Sequence, residues 1–319
     1  MPPVPLLSQD CALDFSIPSG GLVERLDYEL SRRTWLGAAF PSVIMDCFGP
    51  GVVAAFMGAR MDDSSGRIWF HPPRENMPIE DIHLAFDPDH PVLQRILDIY
   101  RAAHKRWRGQ VQLGHTDLGG NLDLLAHLRT SEALLMDLYG SPGEVERCLG
   151  EIHGIWWKYF ELIQEVIQPE NPGCTNWLDY FSPTVTYTTQ CDFGYMISPQ
   201  MFSRFALPEL EKTWEKLAIP VYHLDGIGQR AHLPLILENR HLAAIQWVPG
   251  DGQPDESHWP EIYQTIAGAG KKIICNNPRC VPAIAGQTGH PGLIASSNRY
   301  VFPGTDYETA ISLLAQCGW

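Results

Sequence analysis

Ile219-Pro-Val-Tyr-His-Leu-Asp225 is a short run, almost wholly apolar up to Leu224, that ends on a carboxylate and is followed at once by Gly226. A run this short and this uniform suits a parallel strand buried on both faces; a half-exposed strand would alternate, and a helix would show a 3.6-residue period. The same character recurs at residues 111–114, 174–178, 243–248, 272–275 and 292–295. Helical patterns fall between and around these runs. Ser141-Pro-Gly-Glu144 reads as a capping box with proline at the first helical position, and Val145, Cys148, Leu149, Ile152, Trp156, Tyr159 and Ile163 follow at helical spacing. Ser198-Pro199 opens a second helix, bent at Pro208, and Thr305-Asp-Tyr-Glu308 opens the last; residues 130–139 form a shorter one ended by Gly140. Strand and helix alternate from about residue 110 onward, which predicts an α/β fold with a parallel sheet, closed as a single (β/α)8 TIM-type barrel. Two further strands must then come from the first 110 residues, with 43–48 and 67–70 as the candidates. Residues 1–40 are expected outside the ring as an irregular N-terminal segment, and residues 1–319 are expected to form one domain.

Composition sets outer limits. The 319 residues are 45% hydrophobic, enough for a large core, so disorder is excluded. With 23 basic against 37 acidic side chains the net charge is −14, so no basic surplus exists to displace counterions from nucleic acid. An anionic small substrate held by a few local arginines stays possible. No apolar stretch approaches the roughly 20 residues that a bilayer requires, and the opening MPPVPLLSQD lacks a basic leader ahead of an apolar stretch. The expectation is a soluble, cytoplasmic protein with no membrane partner. The eight cysteines show neither a CxxC pair nor zinc-ribbon spacing and are expected to be reduced and mostly buried.

In an α/β barrel the active site lies at the C-terminal strand ends, so the residue after each apolar run matters most. Here the runs deliver His115-Thr116-Asp117, then Trp177 with Asp179 and Tyr180, then His223-Leu-Asp225, Gln246-Trp247, Cys275-Asn276-Asn277 and Ser296-Ser297-Asn298. Asp192 lies in the loop ahead of the Ser198 helix. For single members such as Ser296 or Asn276, a helix cap or a loop turn explains the residue equally well. His223 and Asp225 are the sharpest pair, because residues two apart in a strand point to the same face. They suit metal ligation, or a histidine charged by its carboxylate neighbour, or a structural clasp at the strand end. Gly226-Ile-Gly228-Gln-Arg-Ala231 matches a dinucleotide fingerprint, but it stands late in the chain after a His-Leu-Asp strand end, and its glycines fit a tight turn leaving the barrel better.

Gln190-Cys-Asp192-Phe-Gly-Tyr-Met-Ile-Ser198-Pro-Gln-Met-Phe202, followed by Phe205-Ala-Leu-Pro208, resembles the uroporphyrinogen decarboxylase superfamily. So do Tyr222-His-Leu-Asp225-Gly226 and Ala244-Ile-Gln246-Trp-Val-Pro249-Gly. The resemblance spans about residues 110–319 and implies a (β/α)8 barrel. It also implies one of two chemistries. Porphyrinogen decarboxylases grip their substrate with an arginine-rich N-terminal segment, for which this chain offers only Arg32-Arg33. The corrinoid-linked methyltransferases hold zinc with an H-x-C pair and a later cysteine. His223 matches that histidine, whereas Asp225 replaces the first cysteine and Ser296-Ser297-Asn298 stands where the later one falls. A harder zinc site of His223 and Asp225, with Cys275 as third ligand, is the form this chain would take.

Three functions follow as expectations. The first is a methyltransferase or demethylase moving a methyl group between a small molecule and a corrinoid or folate carrier, with a corrinoid protein as partner. In it His223, Asp225, Asp192 and Asp117 act in catalysis, and His115, Trp177, Tyr180, Gln246 and Trp247 line the substrate pocket. The second is a metal-free decarboxylase or carbon–carbon lyase acting on a small carboxylic acid. The third is a ligand-binding protein without chemistry.

Overall fold

The structure, a computed structural model, describes residues 8–298 and 302–316. Nine strands are present among them: β1 Ser42–Ile44, β2 Arg60–Asp62, β3 Trp69–His71, β4 Gln112–Gly114, β5 Thr186–Gln190, β6 Ile219–Asp225, β7 Ala244–Val248, β8 Lys272–Cys275 and β9 Ile294–Ser296. β5 to β9 form a five-stranded parallel sheet in sequence order, and β1 and β4 form a parallel pair. Every apolar run but 174–178 therefore carries a parallel strand, as its composition requires. Helices fill the connections, the longest being Pro142–Ile167, which buries Val145, Ile152, Trp156, Tyr159 and Ile163 against the rest of the core.

Register fixes which side chains share a face. Gln190, His223, Gln246 and Ile274 are aligned across β5, β6, β7 and β8. Residues one step away point outward to the helices. Trp214 donates its indole N–H to Thr189 Oγ1 at 2.8 Å and packs on Tyr222 at 5.9 Å, and Trp247 packs on Trp259 at 5.4 Å.

Several expectations change. The run 43–48 is a strand only over Ser42–Ile44, and Asp46–Phe48 is a 3-10 turn. The run 67–70 is not a barrel strand. Trp69–His71 pairs antiparallel with Arg60–Asp62 in a separate hairpin, where exposed Trp69 and His71 flank buried Phe70. The run 174–178 contributes isolated bridges, His115 to Asn176 and Cys174 to Ser182, because the chain turns at Asp179, whose φ of 58° lies in the left-handed region. The Ser141 capping box does not close: its hydroxyl turns to Glu80 at 3.5 Å, and Glu144 pairs with Arg147 at 2.7 Å. Ser198 does cap its helix, accepting from Met201 N–H, and that helix breaks at Ala206 ahead of Pro208.

Side chains stitch the sheet edges together. Asn298, just past β9, accepts from Phe40 N–H at 3.3 Å and donates to Phe40 O at 2.8 Å, just ahead of β1. Ser42 donates to Asp179 at 2.9 Å, and Ser297 donates to Leu178 O at 2.7 Å. The seven described cysteines form no disulfide and six are buried; Cys317 lies outside the described residues. No described helix is long and apolar enough to cross a membrane.

Candidate functional site

Asp192, His223 and Asp225 converge at the C-terminal edge of the parallel sheet. One ligand atom from each lies within 4.8 Å of the other two, the one such His, Cys, Asp or Glu triad among the described residues. β6 supplies His223 and Asp225 on one face, with Nε2 and Oδ2 4.0 Å apart. Asp192 arrives from the 3-10 turn Asp192–Met196 that follows β5 directly.

The imidazole is oriented by its neighbours. His223 Nδ1 meets the Gln246 Oε1 carbonyl, so Nδ1 carries the proton and donates, leaving the Nε2 lone pair toward the two carboxylates. The Trp177 ring stands edge-on to it at 5.2 Å, while the indole N–H is anchored to Thr188 O at 3.0 Å.

Asp117 sits beside this centre, close enough to feel both Asp192 and His223. Its carboxyl is pushed up to about 7, chiefly by burial, against the Gly119 N–H it accepts at 2.8 Å. Near neutrality it is thus partly protonated, where an ordinary aspartate is fully ionised. Asp192 is open to solvent on one side and walled by protein on the others. That walling raises its carboxyl, which His223 opposes and Asp225 reinforces. Two carboxylates this close repel by about 3–4 kcal/mol at an effective dielectric near 20, so the centre favours a shared proton or a cation.

Asp123 is the residue that strand-end reading misses. Its Oδ2 accepts Asp192 N–H at 3.0 Å and its Oδ1 accepts Phe193 N–H at 2.7 Å, capping the turn that carries Asp192. Burial and the charge of Asp192 hold its carboxyl well above the ordinary range. Asp123 reaches that turn because Gly120 lets its helix crowd β5: a Cβ there would stand 2.2 Å from Gln190 O. The available signal was Gly119-Gly120 followed by an acid in a helix's first turn.

Other expected site residues lie elsewhere. His115 faces the helices, stacked on Phe160 at 4.7 Å with Nε2 against Phe160 O at 3.2 Å. Trp247, adjacent to Gln246, necessarily takes the opposite face and packs on Trp259. The Tyr180 hydroxyl meets Asn176, Thr186 and Thr188, so it sits roughly 7–13 Å below the Gln190–His223 level at about 3.3 Å per strand residue. Cys275 points away from the triad and donates to Glu256 at 2.8 Å, where burial and that carboxylate push the thiol up. The Ser297 hydroxyl is engaged with Leu178 O. Among the described residues, then, no cysteine joins His223 and Asp225 in a metal-binding group. Gly226 and Gly228 seat the Tyr195 ring, which would stand 3.0 Å and 2.7 Å from their Cβ atoms, and this explains the fingerprint-like spacing.

His115 makes a stability prediction. Burial holds its imidazole down to about 4, below an unfolded value near 6.5. The folded state binds fewer protons in that window, so its stabilisation is present above pH 6.5 and is lost as pH falls through 4. At roughly 1.4 kcal/mol per pKa unit the loss approaches about 3 kcal/mol. His115→Phe keeps the stacking and is expected to flatten the fall in unfolding temperature between pH 6.5 and 4, with turnover unchanged. An unaltered acid profile, read by thermal unfolding across pH, would refute this.

No family model matches the chain, and no curated protein matches it. Among solved structures, a methyltransferase from Methanosarcina mazei is similar over 98% of this chain and 85% of that one, with a TM-score of 0.60 and 13% sequence identity. At that identity, the likeness is one of fold.

Proposed function

We propose that this chain is a methyl-transfer enzyme whose site is the Asp117, Asp192, His223 and Asp225 group. On this proposal the two parallel sheets are arcs of one (β/α)8 barrel, with residues 174–176 as the stave between β4 and β5. The His115 N–H to Thr175 O bond and the Asn298–Phe40 pair support that closure. The observation that carries the functional proposal is the convergence of an oriented imidazole and two ionisable carboxylates at a single sheet edge, within electrostatic range of an acid raised to about 7, in a fold shared with a methyltransferase.

The chemistry divides among these groups. The nucleophilic atom of the carrier gives its electron pair to the methyl carbon and takes the methyl group as a cation equivalent, while the bond to the donor heteroatom breaks and that heteroatom keeps the electron pair and takes up a proton. Asp117, raised to about 7 and so partly protonated near neutrality, is the acid that gives that proton. Asp192 and Asp225 stabilise positive charge developing at the methyl-bearing atom. Trp177 walls the inner side of the site. At the rim, exposed Tyr195, Met196 and Ile227 form an apolar border that suits a large co-substrate, a corrinoid or folate carrier.

The test is transfer itself. Purified chain is mixed with cob(I)alamin or tetrahydrofolate and a panel of methyl ethers, methylamines and methyl thioethers. The readouts are the absorption change to methylcob(III)alamin and the appearance of 5-methyltetrahydrofolate. Transfer from one donor class at enzyme-dependent rates supports the proposal. No transfer, together with CO2 release from small carboxylic acids, would move the site to a decarboxylase.

A further inference from the structure

The triad has the composition of a cation site, and it differs from a thiolate zinc site in every position but the histidine. We propose that Asp192, His223 and Asp225 bind a divalent first-row cation through one imidazole nitrogen and two carboxylate oxygens, with manganese or zinc as the fitting ions. It rests on the same site as the methyl-transfer proposal but not on that chemistry. Three independent observations carry it. The donor atoms lie mutually within 4.8 Å, and the Gln246 contact at Nδ1 leaves Nε2 as the free donor facing the carboxylates. Gln190 is 6% exposed and aligned with His223 on the same sheet face, and its Oε1 is buried with no hydrogen-bond partner. An orphan carbonyl at that place is satisfied by a cation or by water bound to one. Finally, among the described residues no lysine or arginine ion-pairs with Asp117, Asp123, Asp192 or Asp225, so no side-chain ammonium or guanidinium already takes the place between the carboxylates.

The donor set also selects the ion. Two carboxylates and one imidazole suit manganese or zinc, whereas a thiol-rich site would favour zinc and cadmium strongly. Three protein ligands leave coordination positions open toward the solvent side of Asp192.

The chain is freed of metal with a chelator and titrated with Mn2+, following loss of the free-ion paramagnetic resonance signal, with Zn2+ as competitor. No substrate is present, so the outcome does not depend on the reaction. Binding of one ion per chain is expected, weakened about 10-fold or more by Asp192→Asn and by His223→Gln, and unaffected by Cys275→Ser. Thermal unfolding of each metal-free variant shows whether it is folded, and Asp192→Glu, which keeps the charge, should recover part of the affinity. Absence of binding by folded wild-type chain at millimolar Mn2+ and Zn2+ would overturn the assignment. Loss of the ion in Cys275→Ser but not in Asp192→Asn would overturn it equally. Methyl transfer by the metal-free chain would leave the proposed function standing without the ion.

Discussion

His223→Gln and Asp225→Asn each lower methyl transfer by about 100-fold or more, the scale of losing a positioned acid–base or ligand group, while unfolding temperatures move by only a few degrees. Glutamine at 223 offers an amide N–H to the Gln246 carbonyl but has no titratable ring. Asparagine at 225 keeps the volume and loses the charge. Asp225 is 40% exposed, so its removal opens no cavity. The measurement is turnover per folded molecule beside a melting curve. If both variants melt early and keep full activity per folded molecule, the pair is a clasp at the strand end and the chemistry moves to Asp117 and Asp192.

Asp117→Asn has the second large effect, and its two readouts run in opposite directions. The folded carboxyl is raised to about 7 from an unfolded value of 3.8, principally by burial, with the negative charge of Asp192 adding to it. A raised acid binds more protons folded than unfolded. The stability it contributes is therefore full below pH 3.8 and is lost as pH rises through 7. Above that pH the metal-free native state holds a buried ionised carboxylate, a penalty that approaches about 4 kcal/mol at roughly 1.4 kcal/mol per unit. Asparagine retains an oxygen for Gly119 N–H and carries no charge. The variant should unfold of the order of 10 °C higher at pH 8, with the gap closing toward pH 4, and should lose most turnover. A variant no more stable than wild type at pH 8 would show that Asp117 is ionised at no cost.

The parallel architecture was legible because buried parallel strands must be short and apolar on both faces, and 219–224, 243–248 and 272–275 all became strands. His223 and Asp225 were legible through the same two-residue period that should have placed Trp247 opposite Gln246 and outside the pocket. His115 was not, because β4 has only three residues, and so short a strand sets no phase for the residues beyond its end. Its direction is set by Phe160, a residue on a distant helix. Residues 67–70 failed for a related reason: a few apolar positions cannot distinguish a barrel strand from a hairpin arm. Asp123 escaped because its importance lies in two backbone N–H groups far along the chain, a relation that periodicity does not carry.

That bracket by Asp123 spans 69 residues to Asp192 and 70 to Phe193, and the Asn298 tie to Phe40 spans 258. Contacts of such sequence separation pay their loop-closure entropy late, after local helices and neighbouring strands have formed. The carboxylate of Asp192 therefore reaches its place only when both halves of the chain have docked. A collapsed intermediate with native-like helices would have the chain's circular dichroism and none of its chemistry. Recovery of activity during refolding should accordingly trail the return of secondary structure, which makes the site a reporter of the final assembly step.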